Sequence, residues 1–221
     1  MTQVSLYEHQ KPGLLITFCG LDGCGKSTMI AMLAESLAQR GTAPLLTKQP
    51  TDFVRKSEIF RTYMDRPDHA AYDYRCLSLI AAGDRIQHSN KVILPALEKG
   101  DCVLSDRYFY SCIANLHARG YTEDQWIYEV ARQIPKPDLA FFLDVPVPLA
   151  IERVRERKEE RDKYIDLTLQ YKLRQEYLDL AQANGGFVIP SSGAAEENFR
   201  NIKKIVEKYL EEKKWIPLKE S

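Results

Sequence analysis

The sequence predicts an α/β fold, a five-stranded parallel sheet flanked by helices, and two observations carry that prediction. Short apolar runs without polar alternation, as in strands covered on both faces, recur between segments of helical period. A glycine-rich octapeptide, Gly20-Leu21-Asp22-Gly23-Cys24-Gly25-Lys26-Ser27, joins the first such run to the first helical segment.

Taken in order, residues 14–19 read as the first strand, followed by a helix to about residue 40. Residues 43–47 make a second short strand, which the proline within residues 48–52 ends. Residues 72–99 read as one long helix bent near its end by Pro95. The runs CVLS (102–105) and LAFFL (139–143) read as central strands, and residues 186–189 supply the fifth. Helices are expected near residues 111–119 and 122–133, then over 148 to about 157, 165–183 and 194–213. The first twelve residues and the last few read as surface tails.

With 221 residues, the chain fits one domain spanning residues 1–221. A 44% hydrophobic and 28% charged composition excludes a wholly disordered or collagenous chain. Lys plus Arg (31) equals Asp plus Glu (31), whereas a polyanion binder carries a basic excess, so nucleic acid is not expected as a partner. No apolar run reaches the roughly 20 residues that span a bilayer. The first residues lack the basic-then-apolar pattern of a signal peptide, and a cytoplasmic location without membrane attachment is expected. The five cysteines are odd in number and form no CxxC pair, which argues against a disulfide frame or a zinc site.

The octapeptide matches G-x-x-x-x-G-K-[ST] and lies between a strand and a helix, where a phosphate-binding loop (P-loop) must lie. Glycines let backbone N–H groups turn toward phosphate oxygens, and the helix N-terminus adds positive potential. Gly20, Gly23 and Gly25 shape the loop, while Lys26, read as solvent-facing, reaches the outer phosphates. The Ser27 hydroxyl ligates Mg²⁺, and Thr28, next on the helix, completes the residues expected to bind the nucleotide. The expected ligand is ATP with Mg²⁺. The bland alternative, a glycine turn that merely starts a helix, does not call for Lys and Ser in register.

Further segments, FCGLDGCGKST, SDRYFYS, PKPDLAFFLDVP and RKEERDKYIDLTLQYKLRQEYLDLA, resemble thymidylate kinases in order and spacing from about residue 14 to 210. The resemblance implies a P-loop nucleoside monophosphate kinase fold with a mobile lid at about residues 153–164. It implies transfer of the ATP γ-phosphoryl group to a deoxynucleoside 5′-monophosphate, most simply dTMP, by a homodimer. Two alternatives stay open: a kinase of this fold with another acceptor, and a nucleotide-dependent switch. A GTP switch usually carries N/T-K-x-D, which this sequence lacks.

By the same resemblance, Arg107 holds the acceptor phosphate, and Asp106 supports the Mg²⁺ shell or orients Arg107. Asp22 faces the acceptor sugar and the transfer centre, and Arg85 approaches the acceptor base and phosphate. Lys48-Gln49-Pro50 stands where the family has a basic-Glu-Pro turn, with Gln49 replacing the acid. Arg61 is a candidate phosphate contact beyond this turn. Residues 153–163 form a charge run whose default reading is a solvated helix. The P-loop lacks an arginine of its own, so the lid must supply the extra cation, with Arg161 and then Arg157 as candidates. The loop at 190–193 faces the adenine.

The base pocket departs from the family pattern. Ala81 stands where a stacking Phe is usual, and Asn115-Leu116 where Tyr-Gln is usual, beyond Tyr108 of the Asp-Arg-Tyr motif. Tyr74, Tyr108, Phe109 and Tyr110 are candidate replacements for the missing ring. The four histidines are scattered and none is assigned chemistry.

Overall fold

Strands form where the apolar runs lie. The computed structural model describes residues 3–67, 71–158, 160, 164–213 and 215. In it β1 (Leu14–Cys19), β2 (Leu45–Lys48), β3 (Cys102–Asp106), β4 (Leu139–Asp144) and β5 (Phe187–Pro190) pair in parallel in the order β2-β3-β1-β4-β5. Every residue of β1 is buried, which accounts for its unbroken apolar run. On that strand Phe18 stacks against Phe141 of β4, ring centroids 5.3 Å apart. Because all strands run the same way, the segments after β1 to β5 emerge along one edge of the sheet. Phe18 pairs in register with both Asp106 and Phe141, so the turns after β1, β3 and β4 are neighbours there.

The helices are α1 (Lys26–Ala38), α2 (Asp52–Arg55), α3 (Glu58–Asp65), α4 (Tyr74–His88), α5 (Leu94–Glu98), α6 (Tyr110–Ala118), α7 (Trp126–Ala131), α8 (Val147–Arg155), α9 (Leu167–Ala183) and α10 (Ala195–Lys213). The single long helix expected over 72–99 is divided. A π-turn at Ser89–Ile93 separates α4 from α5, with the Leu94 N–H reaching back to the Ser89 carbonyl. Pro95 lacks an N–H and its ring crowds the preceding turn, so the helix widens just before it. The short helices α2 and α3 were not expected. Ser57 caps α3, its hydroxyl accepting from the Phe60 N–H at 3.3 Å.

The N-terminal residues are not a loose tail. Val4 and Leu6 are buried. Tyr7 bridges to Pro135 and exchanges backbone hydrogen bonds with Ile134 and Lys136 (3.1 and 2.8 Å). Asp138 joins His9 of this segment to β1 and α10: its carboxylate lies 3.3 Å from His9 Nε2 and accepts from the Leu15 N–H (2.8 Å) and the Tyr209 hydroxyl (2.7 Å). Burial opposes ionisation of Asp138, yet His9, the Leu15 amide and Tyr209 outweigh it and hold its pKa below the ordinary carboxylate value. A lowered folded-state pKa stabilises the protein above the unfolded value, and that stability is lost as pH falls through the folded one. Asp138→Asn is therefore expected to cost about 1–3 kcal/mol at neutral pH and to flatten part of the acid-side loss of stability, read from melting temperatures between pH 7 and 3.

Candidate active site

The turn between β1 and α1 has the backbone of a phosphate cradle. Gly20, Gly23 and Gly25 have φ of 137°, 81° and 93°. A Cβ on Gly23 would stand 2.1 Å from the Ala150 carbonyl oxygen, and one on Gly20 2.6 Å from that of Leu143, so neither position admits a side chain. Gly25 caps α1 without a side-chain hydrogen bond, and the Met29 N–H is bonded to the Gly25 carbonyl at 3.1 Å. The N–H groups of Lys26, Ser27 and Thr28 precede that first helical bond and are oriented for an external acceptor.

Lys26 is buried rather than solvent-facing. Its Nζ donates to the carbonyls of Leu21 (2.7 Å) and Gly20 (3.2 Å), folding the side chain back over the loop. Behind the loop, the Ser191 hydroxyl donates to the Cys24 carbonyl (2.6 Å), and Arg153 donates to the Ser191 carbonyl (2.9 Å). The segment after β5, expected to face adenine, thus touches the P-loop directly.

Asp106 ends β3 beside the loop, and Arg107 follows it. Arg107 has φ 68°, a left-handed backbone that costs a non-glycine residue roughly 1–2 kcal/mol. Its N–H donates to the Phe18 carbonyl and its carbonyl accepts from Ser105 Oγ, both at 2.8 Å, which pins this conformation. The guanidinium then reaches Asp22 (2.5 Å), the Gly20 carbonyl (3.1 Å) and the Tyr177 hydroxyl (3.1 Å). Burial works against its charge, but Asp22, Tyr177 and Asp106 together hold the Arg107 pKa well above its ordinary value. Tyr177 also donates to Ser111 Oγ at 3.1 Å. Burial pushes its phenol up to about 12, so it is neutral at working pH. One Asp106 oxygen is 3.1 Å from Lys48 Nζ, whereas the other is buried without a hydrogen-bond partner among the described residues.

These groups open onto a cleft of about 780 Å³ whose walls include Lys26, Ser27, Pro50, Arg61, Ala81 and Arg85. Basic side chains outnumber acidic ones on those walls, although the whole chain is neutral. Arg85 is 2% exposed, not a surface helix arginine, and its Nη1 donates to the Ala81 carbonyl at 2.9 Å. The turn with the cis Gln49–Pro50 bond is held by Asp84, which accepts from the Thr51 N–H (2.7 Å) and hydroxyl (2.5 Å). Arg61 lines the cleft while pairing with Asp65 at 2.7 Å.

Asn115 also lines it. Tyr108 does not: its ring is fully buried and its hydroxyl donates to the Pro135 carbonyl at 2.6 Å. Phe109 and Tyr110 are buried likewise, which leaves Tyr74 as the one cleft-lining ring among the four replacements considered. In the charge run, α8 extends through Arg155, and Arg157 lines the cleft with its Nη1 3.6 Å from Glu160. Arg161 lies outside the described residues. Sequence reasoning missed Tyr177, Ser111, Arg55 and Arg119, all on the cleft. Tyr177 sits in the buried stripe Leu173, Tyr177, Leu180, so its spacing signalled core and nothing signalled its hydroxyl.

A parallel sheet whose first strand feeds a G-x-x-x-x-G-K-S loop and a helix defines a P-loop nucleotide-binding protein. Comparison with known proteins narrows this. The family model of thymidylate kinase matches residues 18–202. A probable thymidylate kinase of Pyrococcus horikoshii is 40% identical over 174 residues, 77% of this chain and 83% of the relative. One of Thermococcus gammatolerans is 36% identical over 206 residues, 90% of this chain and 98% of the relative. The thymidylate kinase of Trichlorobacter lovleyi is 36% identical over 188 residues, 80% and 88% of the two chains. The chain belongs to the thymidylate kinase family.

Proposed function

We propose that the chain transfers the γ-phosphoryl group of ATP to dTMP, giving ADP and dTDP. The observation that carries this reading is Arg107. A cation in a strained backbone is locked between the P-loop and an arginine-rich cleft, where it can meet an acceptor phosphate facing the donor. Lys26 and the N–H groups of the loop bind the donor phosphates. An oxygen of the acceptor monophosphate, largely ionised near neutral pH, forms the new P–O bond as the β–γ bridging bond of ATP breaks. No strong general base is required, which suits a cleft whose charged groups are mainly Lys and Arg. Catalysis is alignment and charge neutralisation, with Arg107 and Asp22 orienting the acceptor.

The lid cations Arg157 and Arg161 complete the neutralisation in this reading. The Ser27 hydroxyl and Asp106 fit a Mg²⁺ site: Ser27 lines the cleft at the helix start, and Asp106 brings a carboxylate oxygen without a protein partner among the described residues. Bound there, the ion would offset negative charge on the donor phosphates. Ser191 and Arg153 hold the segment expected to face adenine against the loop.

We further read the protein as a cytoplasmic homodimer acting on small molecules, with no nucleic acid or membrane as partner. The exposed Leu79 on α4 supports a partner subunit against that helix. No helix among the described residues is long and apolar enough to cross a membrane. ADP formation that depends on added monophosphate, across the common nucleoside monophosphates, tests the reading. Activity greatest with dTMP or comparable with it supports the assignment, and ATP consumption indifferent to any monophosphate contradicts it.

A further inference from the structure

The cleft has an outer end, at Arg119, to which neither the motifs nor the family resemblance assigns a role. Helices α4 and α6 pack against each other, and their lining residues run from Arg85 and Ser111 at the phosphate end, past Ala81 and Asn115, to Tyr74 and Arg119. Seven residues of helix separate Ala81 from Tyr74, about 10 Å along the cleft. At that outer end the Arg119 guanidinium lies over the Tyr74 ring, 4.0 Å from its centroid. Arg119 Nη1 donates to the Asn115 carbonyl (3.1 Å) and Oδ1 (2.9 Å). Tyr63 packs edge-on against Tyr74 with centroids 5.0 Å apart, and its hydroxyl donates to the Tyr72 carbonyl. The fork is therefore held by two carbonyl-type acceptors and a ring. Among the described residues no acceptor meets its Nε or Nη2.

An arginine fork only donates. It favours a base edge that presents carbonyl oxygen and ring nitrogen, and disfavours one that presents an amino group, the logic by which arginine reads guanine O6 and N7. Ala81 is the second element. With a methyl group where a ring would close the middle of the pocket, the space up to Arg119 belongs to the ligand, and a two-ring base reaches further from its sugar than a one-ring base.

We propose that Arg119, stacked on Tyr74, reads the base edge of the acceptor, and that the pocket takes a guanine deoxynucleoside monophosphate as a second acceptor besides dTMP. This rests on the acceptor-site reading above. The adenine counterpart presents an amino group to the same donors and is rejected.

The test measures kcat/KM of the full chain with ATP and Mg²⁺ for dTMP, dGMP and dAMP. The expected result is dGMP turnover within about a hundredfold of dTMP, and dAMP at least about tenfold below dGMP. Arg119→Gln, which keeps much of the packing, lowers the dGMP-to-dAMP ratio about tenfold or more, and Ala81→Phe lowers the dGMP-to-dTMP ratio by at least as much. Thermal melting identifies a variant that fails to fold, and the wild-type panel stands without either variant. Turnover of dTMP without dGMP overturns this inference and leaves the kinase reading intact. An unchanged dGMP-to-dAMP ratio in folded Arg119→Gln overturns the role of Arg119. No turnover with any acceptor overturns both readings.

Discussion

Lys26→Ala is expected to lower kcat about a thousandfold while the protein stays folded. A preorganised charge-stabilising donor is worth about two to three orders of magnitude in rate, and Lys26 is the P-loop cation nearest the phosphates to be bound. Burial of Lys26 alters the stability side of the prediction. Its ammonium serves the Gly20 and Leu21 carbonyls, so the loop loses two charge-assisted hydrogen bonds and stability falls by about 1–3 kcal/mol. A melting curve and a single-turnover rate on the same preparation check both parts. Near-normal turnover in the folded variant would remove Lys26 from the chemistry.

Removing the Arg107 guanidinium should cost at least a hundredfold in kcat/KM for the acceptor, because it faces the loop and the cleft together. The backbone at this residue allows a cleaner experiment than the usual alanine. At φ 68°, glycine occupies the left-handed region without strain and alanine does not. Arg107→Gly and Arg107→Ala should lose activity alike, while the glycine variant is more stable than the alanine variant by about 1 kcal/mol. Asp22 loses its Arg107 partner in both, leaving a carboxylate beside incoming phosphates. Equal stability of the two variants would mean that the local backbone relaxes. Retained acceptor affinity would place the phosphate elsewhere in the cleft.

Much of this architecture was legible because the signals were local. The P-loop, the five strands and the later helices follow from apolar runs, glycines and helical period, each set by neighbours in the chain. The division of α4 from α5 was only half legible. Pro95 announced a disturbance, but a proline can either bend a helix or widen it, so the chain alone did not specify the π-turn at Ser89–Ile93. The N-terminal residues read as a tail because Val4, Leu6 and Tyr7 are too few to show a period. What orders them lies more than a hundred residues away in the chain: Asn184 Oδ1 accepts from the Val4 N–H, and Tyr7 bonds the backbone of Ile134 and Lys136.

The site divides along the same line. Residues inside motifs, such as Asp22, Lys26, Asp106 and Arg107, could be named from the chain. Tyr177 and Arg119 could not, since each matters through a partner on another element: Arg107 for one, Tyr74 for the other. Tyr108 shows the converse, a motif residue that faces the core and bonds Pro135.

The measurement that bears most directly on phosphoryl transfer is the fate of the γ-phosphorus. ATP labelled at that position is incubated with the protein, Mg²⁺ and dTMP, and the products are separated. Label is expected in dTDP, in step with ADP formation and absent when dTMP is omitted. Label recovered only as inorganic phosphate, whether or not dTMP is present, would contradict it and mark the protein as a nucleotide hydrolase or switch.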